Sequence, residues 1–85
     1  MRKKGKNEEW ATRKMDMWIA RDKDYSKLYM YTEEPDPTLW DEFTHPRYDG
    51  ERIQLPFTMF DEIVFENSPV KVEMKMKFLV PKEGY

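Results

Sequence analysis

No cysteine occurs anywhere in the 85 residues. That removes a disulfide framework, a thiolate nucleophile and every cysteine-based zinc site. A small domain without disulfides fits a reducing compartment, so the cytoplasm is the expected location. No run of eighteen apolar residues is present, and a membrane-spanning helix is not expected. The opening Met1-Arg2-Lys3-Lys4-Gly5-Lys6 leads into no apolar signal core. His45 is the single histidine. It has Asp41 and Glu42 nearby in sequence but no second imidazole or thiolate, which reads as a loop residue rather than a metal ligand. Ser26 and Ser68 lie in turn-like surroundings without a nucleophile elbow. The adjacent acids Glu8-Glu9, Glu33-Glu34, Asp41-Glu42 and Asp61-Glu62 point to opposite faces of an extended chain and do not of themselves converge across a cleft. The stretch from Asp22 to Glu33 imitates the spacing of an EF-hand calcium loop, but Lys27 stands where that loop needs glycine. No catalytic constellation, cofactor site or metal site is expected, and the chain does not read as an enzyme.

Aromatic side chains make up 15 % of the residues, enough to give so short a chain a single core, because few side chains bury as much area each. The net charge of −2 is unevenly spread. Residues 1–32 carry nine Lys/Arg against five Asp/Glu, residues 33–66 two against ten, and residues 67–85 four against two. The middle is acidic and both ends are basic. That pattern suits either charged partners or the ends packing beside the middle.

The firmest structural signal is the alternation in residues 70–80. There Val70, Val72, Met74, Met76, Phe78 and Val80 interleave with Lys71, Glu73, Lys75, Lys77 and Leu79. Period-two alternation predicts a strand with one buried and one wet face, and the apolar row is expected to build the core. Residues 17–22 and 27–32 read as a hairpin around a polar turn. Residues 51–55 and 63–66 read as short strands, with a helical turn over 57–61 behind Pro56 and another around 38–43. Asn7 followed by two glutamates suggests a short helix over 7–15. The expected fold is therefore mainly β, with α+β as the variant if that helix forms. It is a twisted antiparallel sheet or partly open barrel of about five strands, with residues 1–6 a basic arm, 7–81 one domain and 82–85 a tail.

Two surfaces emerge as candidate sites. Lys71, Lys75 and Lys77 project from one face of the last strand. Such a row either keeps a sheet edge soluble or contacts single-stranded nucleic acid. Trp18, Tyr29, Tyr31 and Trp40 are large rings of the kind that anchor protein–protein contacts. Both faces of the first hairpin are apolar, so either both are covered or one awaits a partner, a second copy included.

The stretch Trp18-Ile19-Ala20-Arg21-Asp22-Lys23-Asp24, followed by Leu28-Tyr29-Met30-Tyr31 and Pro35, resembles the opening of a family of short proteins from Bacteroidetes genomes and their phages. Phe65-Glu66-Asn67-Ser68-Pro69, with Val72 and Met74 after it, is similar to the family's closing segment. The likeness runs from Trp18 to Met76. It departs at Tyr25-Ser26, where the family turn has glycine, and residues 1–16 fall outside it. The resemblance implies a phage or prophage origin and carries no activity, ligand or functional residue with it. The expectation is a small non-enzymatic interaction protein binding a host or phage protein. The alternative is a nucleic-acid-binding domain using the lysine row.

Overall fold

The structure, a computed structural model, describes residues 8–82. The expected arm over 1–6 and most of the expected tail lie outside those residues. The alternating segment forms strand β6 (Val70–Leu79), and its partner is the N-terminal strand β1 (Trp10–Arg21). The two run antiparallel from Ile19↔Val70 to Trp10↔Leu79. Of the helix expected over 7–15, residues 10–15 are corrected to strand, 8 and 9 lie outside any regular element, and Asn7 lies outside the described residues. A helix that short has little stability of its own in water. Extended, residues 10–15 each gain a cross-strand neighbour on β6, and Trp10 and Thr12 favour the pleated form.

The first hairpin forms as expected. β1 turns into β2 (Leu28–Tyr31), with rungs from Trp18↔Tyr31 to Arg21↔Leu28. The Asp24 carboxylate accepts bonds from the Ser26 N–H at 3.1 Å and the Ser26 hydroxyl at 2.8 Å, which closes a polar turn. Two two-residue strands, β3 (Asp36–Pro37) and β4 (Phe43–Thr44), pair with each other. Strand β5 (Arg52–Leu55) adds to β2, giving a mainly β, open sheet in the order β5-β2-β1-β6 rather than a barrel. β1 pairs with β6 over Trp10–Ile19 and with β2 over Trp18–Arg21.

The helical turns expected over 57–61 and around 38–43 are irregular turns instead, and the strand expected over 63–66 is replaced by a short 3-10 helix, Phe65–Asn67. Local side chains divert this segment from the sheet. Asn67 accepts the Val64 N–H at 2.9 Å and donates to the Glu62 carbonyl at 2.8 Å. The Ser68 hydroxyl donates to the Val64 carbonyl at 2.7 Å and accepts the Arg21 N–H at 2.9 Å.

Both faces of the central sheet are covered. On one, Ile19, Leu28 and Ile63 pack with Met30, Leu55, Val70 and Val72. On the other, Ala20, Tyr31 and Phe43 pack with Trp18, Tyr29 and Phe65. The polar side chain that organises the first face is Arg21, only 1 % exposed. Its Nε donates to the Ile63 carbonyl at 2.7 Å, Nη1 to those of Tyr25 and Phe57 at 2.7 and 3.0 Å, and Nη2 to those of Met59 and Phe60 at 3.1 and 3.2 Å. The guanidinium also lies 3.9 Å from the centre of the Tyr25 ring. All five of its N–H groups are thereby used. This cage shapes residues 56–63, including Phe60, which is held at φ 54°. That is the left-handed region, and for a bulky side chain it costs on the order of 1–3 kcal/mol.

Asp22 is buried beside it and accepts the Phe43 N–H at 2.9 Å. Burial pushes its carboxyl above the ordinary value of 3.8, and the Phe43 bond draws it partly back. The folded state therefore holds this proton more tightly than the unfolded chain does. From this group, stability falls as pH rises through the window between 3.8 and the raised value. Asp22→Asn keeps the acceptor and removes the charge. It is expected to lose that slope in urea midpoints measured against pH and to stay within about 1 kcal/mol of the parent at pH 7. Asp22→Ala orphans the Phe43 N–H and is expected to cost about 1–3 kcal/mol.

Candidate functional site: a two-faced ribbon

Strand β2 covers only Trp18 to Arg21 of β1, whereas β6 runs alongside β1 out to Trp10. Residues 10–17 and 72–79 therefore continue beyond the body as a two-stranded ribbon. The molecule measures 57 × 28 × 17 Å with a radius of gyration of 17.7 Å, against about 12 Å for a compact chain of this length. A lone two-stranded ribbon is only marginally stable in water.

Residues directly opposite each other share a face, which sorts the ribbon into two sides. On the first side lie Met17 and Val72, Met15 and Met74, Arg13 and Met76, then Ala11 and Phe78. This is the apolar row of the alternating strand. Its expected role in the core holds only at the base, where Val70 and Val72 pack against the buried cluster. Farther out the row is only partly covered: Met15 and Met76 are 39 % and 45 % exposed, whereas Met74 and Phe78 are half-buried and the Arg13 guanidinium lies 5.8 Å from the centre of the Phe78 ring. Alternation specifies an apolar side but does not supply anything to cover it. At the base, Ile19, Leu55, Phe60, Val72 and Met74 help to line an apolar groove of about 310 Å³. The stripe runs from that groove to the ribbon tip.

On the second side lie Trp18 and Lys71, Asp16 and Glu73, Lys14 and Lys75, Thr12 and Lys77, then Trp10 and Leu79. All three lysines of the expected row are exposed here. Lys71 pairs with Asp16 at 3.5 Å. Lys77 lies 5.2 Å from the centre of the Trp10 ring. Lys14 and Lys75 face each other directly, a like-charge juxtaposition that weakens a ladder. Lys14 and Trp10 belong to this surface but were hidden from sequence reasoning. Their segment read as helix, and strand register is a long-range property that period-two alternation leaves open.

The ring candidates do not gather into one surface. Tyr31 is fully buried and donates its hydroxyl to the Phe43 carbonyl at 3.1 Å. Burial pushes its phenol up. As a contact for a partner it is corrected to a core residue. Trp18 and Tyr29 are half-buried in the same cluster. Trp40 stands 77 % exposed beside Leu39 on the turn between β3 and β4, away from the ribbon strands.

His45 does not meet Asp41 or Glu42. Its Nδ1 accepts the Arg47 N–H at 3.1 Å and its Nε2 lies 2.9 Å from the Thr32 hydroxyl. The ring rests so close over Gly50 that a Cβ there would collide with the imidazole, so this position of the turn suits glycine. Among the described residues no group of three His, Asp or Glu is placed to hold a metal ion, and no helix is long and apolar enough to cross a membrane. Compared with protein-family models, curated proteins and solved structures, the chain matches none.

Proposed function

We propose that the protein is a non-enzymatic protein-interaction module whose docking element is the ribbon. The observation that carries this reading is the apolar stripe of Ala11, Met15, Met74, Met76 and Phe78. It extends the groove outward along the ribbon, where Met15 and Met76 are exposed and Ala11, Met74 and Phe78 are half-buried. Contiguous exposed apolar surface marks an interaction site, and methionines adapt readily to a partner's shape. The resemblance of the Trp18–Asp24 stretch and of Phe65–Pro69 to phage-associated proteins supports a host or phage protein as the class of partner, met in the cytoplasm. Tagged protein recovered from its native host is expected to bring down a stoichiometric protein partner. Met76→Glu and Phe78→Glu, both far from the core, are expected to abolish that capture. Recovery of no stoichiometric partner by the parent protein removes the reading.

A second reading has its own support in the Lys14–Lys75 pair, with Lys71, Lys77 and Trp10 on the same side. A two-stranded ribbon fits the DNA major groove, and lysines interleaved with an aromatic ring suit single strands. Against it stand the unused apolar stripe and a net charge of −7 on residues 18–70. The same capture distinguishes the two. Material that disappears after nuclease treatment, with raised salt, or with Lys75→Glu favours the nucleic acid.

A further inference from the structure

The two edges of the four-stranded sheet are unlike. β5 closes one of them with four residues, Arg52–Leu55, and stops at Pro56. Short strands and prolines are ordinary ways of keeping an edge from pairing with another chain. β6 closes the other edge with ten residues, Val70–Leu79. It contains no proline and matches β1 one residue to one from Ile19↔Val70 to Trp10↔Leu79, without a bulge. Among the described residues no strand lies on its outer side. Alternate N–H and C=O groups of β6 therefore point outward along about 30 Å without a ladder partner. What guards this edge is charge, from the exposed Lys71, Glu73, Lys75 and Lys77.

That guard is selective. Residues opposite each other on neighbouring strands share a face. A strand added beside β6 thus sets one row of its side chains against Lys71, Glu73, Lys75 and Lys77, and the other against the apolar row from Val72 to Phe78. A copy of β6 laid alongside over most of its length sets lysine directly against lysine, which destabilises the ladder. An acidic strand meets the reverse. Lys71 already has Asp16 at 3.5 Å, whereas Lys75 faces Lys14 and Lys77 faces Thr12, so neither of those rungs holds a carboxylate. Resting on the reading of the ribbon as a docking element, we propose that β6 is the acceptor edge for an extended segment of a partner protein in which apolar residues alternate with Asp or Glu. The segment pairs with β6 through main-chain hydrogen bonds. Its carboxylates lie beside Lys75 and Lys77, and its apolar side chains beside Met74, Met76 and Phe78. Main-chain pairing supplies the affinity and the two side-chain rows select the partner. The outer ribbon, marginal with two strands, gains a third.

A fluorescein-labelled peptide as long as β6, with valine and glutamate alternating, tests this by fluorescence anisotropy at neutral pH. Binding is expected to saturate in the micromolar range and to weaken as salt is raised. Lys75→Glu combined with Lys77→Glu is expected to weaken it about tenfold. The doubly changed protein is expected to bind the matching valine–lysine peptide instead, an exchange of preference that an unfolded variant would not show. In hydrogen exchange followed by NMR, the β6 amides that do not bond to β1 are expected to become protected when the glutamate peptide binds. A parent protein that ignores the glutamate peptide overturns the proposal, as does binding that is indifferent to both charge changes or leaves those amides unprotected. An oligothymidylate that binds the parent where the peptide does not assigns the lysines to nucleic acid and overturns it too. If the peptide fails but host-protein capture still depends on Met76 and Phe78, only strand addition is rejected. If that dependence is absent as well, the docking role of the ribbon falls with it.

Discussion

Arg21→Ala is expected to unfold the protein under conditions where the parent is fully folded. The five carbonyls of Tyr25, Phe57, Met59, Phe60 and Ile63 converge on this one guanidinium. With the side chain gone, they face a cavity in a region the core would otherwise seal. A single buried acceptor left without a donor costs about 1–3 kcal/mol, and breaking a buried charged network costs about 3–5 kcal/mol. A domain of this length has roughly 4–13 kcal/mol in all. Besides this cage, residues 56–63 are held by buried Ile63 and by Tyr25, which touches Phe57 and donates to Asp61, while Phe57, Met59 and Phe60 are each more than 40 % exposed. Arg21→Lys is expected to fail too, by at least about 2 kcal/mol, because an ammonium has three donors on a point and cannot reach five acceptors spread around a planar fork. Urea unfolding followed by tryptophan fluorescence measures both. A lysine variant with the parent's midpoint would mean that the carbonyl cage contributes little and that packing of the side chain's stem suffices.

The second large effect is expected at Ile19. Only Trp18 and Ile19 of β1 have ladder partners on both sides, Ile19 lying between Met30 and Val70, and Ile19 is 2 % exposed. Ile19→Ala is expected to cost about 2–5 kcal/mol, the transfer energy of the lost methyls together with the cavity they leave. Met76→Ala belongs to the same apolar side of the sheet but lies out on the ribbon. In dilute monomeric protein it is expected to change stability by no more than about 0.5 kcal/mol. The contrast between the two locates where the core ends. Equal losses at both positions would mean that the outer ribbon is packed within the monomer, which contradicts its exposure.

The candidate site was half legible. The lysine row and the apolar row of residues 70–80 are visible as a two-residue period because side chains alternate faces whatever the partner strand. The extent of burial along that row was not visible. Val72 and Met76 occupy equivalent positions in the pattern, yet one borders the core and the other does not. Arg21 shows the same gap from the other side. It read as a charged residue closing a strand at a turn, and nothing within a few residues of it indicates that carbonyls up to 42 residues away converge on its side chain. Asn67 and Ser68, by contrast, also bond to backbone within five residues, so their turn-forming role was open to local reasoning, although the bond Ser68 accepts from the distant Arg21 N–H was not.

What the residues alone determined about this protein are the properties that depend on local chemistry. These are the mainly β character, the hairpin between β1 and β2, the alternation of the last strand, and the lack of cysteine. What only the tertiary structure decided is which strands meet and where. The pairing of β1 with β6 turned a presumed helix into a ribbon, set Lys14 against Lys75, and carried the apolar row past the end of the core. Those outcomes depend on contacts between residues about 50 to 70 apart in the chain, whose free energy comes from burial and register rather than from any preference written into neighbouring residues.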